Sequence, residues 1–292
     1  MELDISTDIW NKVAANSSQN LIFKDGNINV IERIGSESSE GEVYRIQIEG
    51  QEYAGKIMPI NSAYSIEKNE NEISIAKELS GLKYFPIVYT SIFCSNTKYN
   101  EKSLFLEDSY KYFLFEKLCE EKTKVCKTRM KHKYKDMSIQ KLRNLFDISV
   151  NISSHILISE IAFSDLRQFR SGNEKIWRFI ILNVLKGIKY LNEEKNILHG
   201  DLHCGNVLIK VNDKNEIQTL LIHDFGKSKR CSFENMQDRI TDTEKFLYDL
   251  TLHFDVPKNI KDKIEEILKY ISTLYHSKIS YPIMDEIVSL IF

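Results

Sequence analysis

His199-Gly200-Asp201-Leu202-His203-Cys204-Gly205-Asn206 is a short polar stretch set between apolar runs. Tyr190, Leu191, Ile197 and Leu198 precede it, and Val207, Leu208 and Ile209 follow. Those flanks predict a loop held between a helix end and a strand. The loop carries a carboxylate, Asp201, and an amide, Asn206. A second stretch, His223-Asp224-Phe225-Gly226, follows the apolar run Leu220-Leu221-Ile222 and sets another carboxylate at a strand end. Carboxylate and amide oxygens suit Mg²⁺, a hard cation that keeps waters and shares its shell with substrate phosphates. His199, His203 and His223 also admit a reading as a zinc cluster.

Together these residues resemble the H-x-D-L-x-x-x-N catalytic loop and the D-F-G motif of protein kinases. Both motifs in order, each after an apolar strand or helix, are more specific than either alone, and they account for the polar residues without zinc. The resemblance implies that Asp201 orients the attacking hydroxyl and accepts its proton, and that Asn206 and Asp224 hold Mg²⁺. It makes His199 structural, packed on the Phe225 side. His203 stands where conventional protein kinases carry lysine, so a protonated or donating imidazole is expected to serve the γ-phosphate. Gly200 stands where many carry an arginine that pairs with a phosphorylated activation segment.

Working back from the loop, Glu174 to Asn192 has the apolar spacing of a helix, through Ile176, Phe179, Ile180, Val184, Leu185, Ile188 and Leu191. The run Ile156 to Ala162, then Ser164-Asp165-Leu166, resembles the fifth strand, the hinge and the start of the next helix. The hinge backbone is expected to pair with adenine at Glu160 and Ala162, with Phe115-Glu116-Lys117-Leu118 as a competing hinge. Nearer the N-terminus, Ile28, Val30 and Ile34 alternate with polar residues, and Glu42 to Ile48 and Tyr53 to Met58 extend this into a three-strand meander. The turn between the first two strands resembles a kinase glycine-rich loop, which places Ile34, Gly35, Gly41 and Val43 over the nucleotide. Gly35 and Gly41 stand one residue further apart than the family pattern, and its middle glycine is missing.

Lys56, in Ala54-Gly55-Lys56-Ile57, resembles the lysine that holds the α- and β-phosphates. The following helix, Ser65 to Leu82, offers Glu72 as its partner, with Glu67, Glu70 and Glu78 as rivals. Phe85 to Phe93 reads as the fourth strand. Residues 95–151 are longer than the family norm. They contain a basic run, Lys122 to Lys135, which is either a solvated loop or a docking patch for an acidic partner or nucleic acid. Beyond Gly226, the stretch Thr241 to Leu250 reads as a helix replacing one of the family's. Ile260 to Leu274 and Met284 to Ile291 read as two more, and no A-P-E motif appears.

Composition limits the remaining options. A net charge of −2 gives no global field favouring nucleic acid or membrane. No apolar run reaches membrane-spanning length, and Met1 to Trp10 does not read as a signal peptide. Five scattered cysteines, without a CxxC pair, fit a reducing, cytoplasmic setting, in a host cell or virion if the chain is viral.

The expected fold is α+β and bilobal, protein-kinase-like. It has a lead-in over 1–26, a small β-rich lobe over 27–158 that includes the insertion at 95–151, and a reduced, mostly helical lobe over 159–292. The resemblance implies an ATP- and Mg²⁺-dependent serine/threonine kinase acting on a protein, similar to divergent kinases of large DNA viruses and to the Haspin group. The H-G-D-L-H-x-G-N form is also typical of aminoglycoside- and choline-type phosphotransferases. A nucleotide-binding pseudokinase scaffold is a third reading.

Overall fold

The computed structural model describes residues 2–3, 28–34, 42–60, 63–97, 133–134, 137, 152–214, 216–231, 236–253, 255–274, 287 and 289–290. Gly35, Gly41, the lead-in beyond Leu3, the competing hinge and almost all of the basic run lie outside them. The chain packs as two units. One is Met1–Asn69 with Tyr89–Ile161; the other is Glu70–Val88 with Ala162–Phe292.

In the first unit, strands β1 (Glu2–Leu3), β2 (Ile28–Arg33), β3 (Glu42–Ile48), β4 (Gln51–Ile60), β5 (Val88–Thr97) and β6 (Ile152–Ser159) form one sheet. Among the described residues its order is β1-β2-β3-β4-β6-β5. β3 alternates strictly, with Tyr44, Ile46 and Ile48 buried between half-buried neighbours. Glu49 (φ 50°) and Gly50 (φ 84°) form a two-residue turn that pairs Ile48 with Gln51. Positive φ at both turn positions matches the right-handed twist of the strands it joins. In β2 the expected alternation breaks at a register shift between Val30 and Glu32, which leaves Ile31 exposed. β4 is buried from Tyr53 to Met58, since β3 and β6 flank it on either side. A Cβ on Gly55 would stand 2.9 Å from the Ile46 side chain, so glycine lets β3 and β4 pack there.

Helix α1 (Ala63–Leu79) begins and ends earlier than its apolar stripe predicts. Phe85 closes a turn from Leu82, and Pro86-Ile87 is irregular, so the stretch is not the start of a strand; β5 begins at Val88. The Phe85 amide donates to Leu82 O at 2.9 Å, and its buried ring faces Tyr190 and Phe225. An aromatic in a β-rich window reads as strand, but here the core takes that ring from a turn.

In the second unit, α2 (Glu174–Lys189) buries Trp177, Ile180, Ile181, Val184, Leu185 and Ile188. The Asn173 side chain caps it by accepting from Lys175 N at 2.9 Å. A π-turn, Tyr190–Glu194, carries the chain to β8 (Ile197–Leu198). β7 (Ser164–Asp165), β9 (Val207–Val211) and β10 (Ile217–Ile222) form a three-stranded sheet in the order β10-β9-β7. Ser164-Asp165 is therefore a short strand and not a helix start: it pairs with Ile209 and Leu208. The Asp165 carboxylate then caps the turn by accepting from Gln168 N and Nε2, both at 3.0 Å. β11 (Lys229–Arg230) pairs with β8, and helices α3 (Met236–Leu252) and α4 (Lys258–Leu274) follow.

Residues 70–88 group with this second unit through specific contacts. Ile222 N donates to Tyr84 O at 2.8 Å, and Asn71 Nδ2 donates to Ser228 O at 3.0 Å. Arg230 also pairs with Glu78. Among the described residues no helix is long and apolar enough to cross a membrane.

Candidate active site

The β9–β10 hairpin determines where the polar residues fall. Its register sets Val207 opposite Ile222, so the residue before β9 and the residues after β10 become neighbours. Those are Asn206 and His223-Asp224. The His223 amide donates to Asn206 O at 3.1 Å. Asn206 is buried, and its Nδ2 donates to Asp201 O at 2.9 Å, which fixes the amide and leaves Oδ1 as its acceptor oxygen. Asp224 has φ 65°, a left-handed backbone uncommon for a non-glycine residue. Strain of this kind gathers where a side chain must be aimed. Asp201, Asn206 and Asp224 thus lie on one short loop and the adjoining hairpin end. All three carry the hard oxygen donors that Mg²⁺ prefers.

His199 is fully buried at the back of this loop. Its Nδ1 accepts from Asp201 N at 3.4 Å, so Nε2 donates to His223 O at 2.9 Å. Its ring lies 5.4 Å from that of Phe225. Each histidine has a ring nitrogen with a partner of its own: His223 Nε2 faces Gly205 O at 3.3 Å and His203 Nδ1 faces Arg167 Nη2 at 3.3 Å. Burial, helped by the Arg167 guanidinium, lowers the His203 imidazole below its ordinary range against smaller pulls from Asp201 and Asp249. Burial likewise pushes the Cys204 thiol far up, so this cysteine is not a nucleophile.

Two carboxylates on α3 hold the loop from below, and sequence reasoning assigned them no role. Asp242, fully buried, accepts from His199 N at 2.6 Å and Gly200 N at 2.8 Å. Asp249 accepts from Cys204 N at 2.8 Å. Burial raises Asp242 above the usual carboxylate range, while the two amides and Lys245 pull it back. The only signal in the sequence was a seven-residue spacing of acids, two helical turns apart on one face. Gly200 has φ 81°, and a Cβ there would stand 2.5 Å from Lys227 O. Lys227 itself reaches the loop, with Nζ 2.7 Å from Asp201 Oδ2.

The remaining expected residues are placed as follows. Lys56 is buried on β4, opposite Val43 on β3 and Leu157 on β6. Ile34 N donates to Val43 O at 2.8 Å, which closes the β2–β3 strand pair at the expected phosphate turn. Glu72 is buried on α1, whereas its rivals Glu67, Glu70 and Glu78 are exposed. Glu160 and Ala162 lie in the extended stretch between β6 and β7.

A model of the protein kinase domain matches residues 128–248, a span that contains Asp201, Asn206 and Asp224 and begins after Lys56 and Glu72. The chain is 42% identical over 65 residues to the human lymphokine-activated killer T-cell-originated protein kinase, covering 22% of this chain and 18% of that protein. It is 40% identical over 79 residues to a protein of Acanthamoeba polyphaga mimivirus that carries the name of a serine/threonine-protein kinase, covering 27% of this chain and 12% of that one. The matched segments thus span less than a fifth of either relative.

Proposed function

We propose that the chain is a divergent protein kinase, an ATP- and Mg²⁺-dependent serine/threonine kinase transferring the γ-phosphate to a protein hydroxyl; the match of residues 128–248 to the protein kinase domain and the partial similarity to the mimivirus protein support this reading. The observation that supports this most is the juxtaposition of Asp201, Asn206 and Asp224, with Asn206 bonded to the backbone on both sides of the loop. Phosphoryl transfer asks for in-line positioning and charge neutralisation more than for covalent help. Bound Mg²⁺ supplies charge neutralisation on the phosphates.

Asp201 is the base that orients the acceptor hydroxyl and takes its proton. Asn206 Oδ1 and the Asp224 carboxylate are the metal donors. Lys56 holds the α- and β-phosphates, Glu72 is its supporting acid, and Glu160 and Ala162 offer backbone to adenine. His203 serves the γ-phosphate as a protonated or donating imidazole.

The test separates protein from small-molecule acceptors. Purified protein is incubated with γ-labelled ATP and Mg²⁺, a mixed protein substrate and a panel of aminoglycosides and amino alcohols. Label recovered as phosphoserine or phosphothreonine in protein is the expected result. Label only in a small molecule reverses the reading in favour of a small-molecule phosphotransferase. Label in neither, with nucleotide bound, leaves the scaffold.

A further inference from the structure

Three basic side chains from three separate segments converge on residues 200–205. Lys227, after the Asp-Phe-Gly stretch, sets Nζ 2.7 Å from Asp201 Oδ2. Lys245, on α3, sets Nζ 2.6 Å from Gly200 O. Arg167, in the turn after β7, sets Nη2 3.3 Å from His203 Nδ1 and lies against Gly205, where a Cβ would stand 3.2 Å from its Cζ. All three are exposed. The two acids that α3 sets against this loop are already occupied: Asp242 is buried on two backbone amides, and Asp249 is half-buried on a third. Apart from the carboxylates of Asp201 and Asp224 themselves, the exposed charged side chains that reach this loop are therefore basic.

We propose that Arg167, Lys227 and Lys245 select acceptor sequences in which the phosphorylated hydroxyl is flanked by Asp or Glu. This rests on the kinase reading above and names the substrate class for that site. Charge complementarity favours an acidic segment across three exposed cations and rejects a basic one. Lys227 gives the preference a direct mechanism. Its ammonium holds the Asp201 oxygen that an acceptor hydroxyl needs, and an acidic side chain beside that hydroxyl takes the ammonium in exchange. Neutral and basic segments offer no such exchange and leave Asp201 masked.

The experiment uses three peptides with one serine each, differing only in flanks of Asp/Glu, Asn/Gln or Lys/Arg. Initial rates are measured with ATP and Mg²⁺, and binding of the fluorescein-labelled peptides is followed by anisotropy without nucleotide. The acidic peptide is expected to exceed the neutral one by about ten-fold in kcat/KM and in affinity, the size that three exposed pairs supply together. That advantage shrinks with added salt. Arg167→Glu and Lys227→Met should each narrow the acidic-to-neutral ratio, and Arg167→Gln serves if the charge reversal does not fold. Transfer without acidic preference overturns the inference and leaves the kinase reading standing. Acidic-peptide binding that these variants weaken, without transfer to any peptide, upholds the inference for the surface and overturns the kinase reading. Equal binding of all three peptides overturns the inference whether or not transfer occurs.

Discussion

Gly200 illustrates how a residue can be identified from sequence while its reason is not. In sequence it reads as a missing arginine beside the candidate base. In the folded loop it is a backbone requirement, with φ 81° and the Lys227 carbonyl where a side chain would begin. Gly200→Ala should cost about 1–3 kcal/mol, from a strained φ and a displaced carbonyl together, read as a fall in urea midpoint. Asp242 tests the same loop from below. Its pKa is raised in the fold by burial, so its contribution to stability is fullest below the ordinary carboxylate range and declines as pH rises through the raised value. Asp242→Asn abolishes that titration and can satisfy only one of the two amides. The variant should be less stable by about 1–3 kcal/mol, the cost of one unsatisfied buried donor. Its stability should also depend less on pH across the acidic range, which chemical denaturation at a series of pH values would show. Asp201, Asn206 and Asp224 could be named from spacing because they lie in short local motifs. Asp242, Asp249, Lys227 and Arg167 could not, because their roles depend on partners reached only through the fold.

At the scale of elements, α2 was readable from its apolar period, and the hairpin strands from their apolar runs. The short strand at Ser164-Asp165 and the turn at Phe85 were not, since two or three residues carry no period and the core overrides local preference. Within α2, a Cβ at Gly187 would stand 2.7 Å from Ile222 Cδ1 and 3.3 Å from Tyr84 Cβ. Ile222 is buried and its amide is tied to Tyr84, so its methyl has little room to retreat. Gly187→Val should therefore cost about 1–3 kcal/mol by overpacking, with a matching drop in Tm. The segment after Gly226 yields another expectation. Of its hydroxyls, Ser228 is buried and donates to His199 O at 3.0 Å, and Thr243 is fully buried. Neither can accept a phosphate without leaving its buried place, Ser228 against the loop and Thr243 on α3, and Gly200 offers no cation to meet one. Phosphatase treatment, followed by removal of the phosphatase, should leave the initial rate unchanged within two-fold or so; a loss of about ten-fold, reproduced by Thr241→Ala, would reject this.

For the whole molecule, the α+β organisation was legible through the resemblance carried by the two polar motifs, with a strand meander near the N-terminus and helices prominent toward the C-terminus. Net charge and the absence of long apolar runs narrowed the class without selecting a reaction. The basic run at 122–135, all but Lys133 and Tyr134, and the glycine turn fall outside the described residues and stay proposals from sequence. The central claim is that Asp201, with Asn206 and Asp224 beside it, performs phosphoryl transfer. The most direct measurement compares wild type and Asp201→Asn side by side, for transfer of labelled γ-phosphate to protein and for nucleotide binding. A positioned base contributes about 10²–10⁴-fold. A rate loss in that range, with nucleotide binding and fold retained, is predicted; transfer within a few-fold of wild type would contradict it.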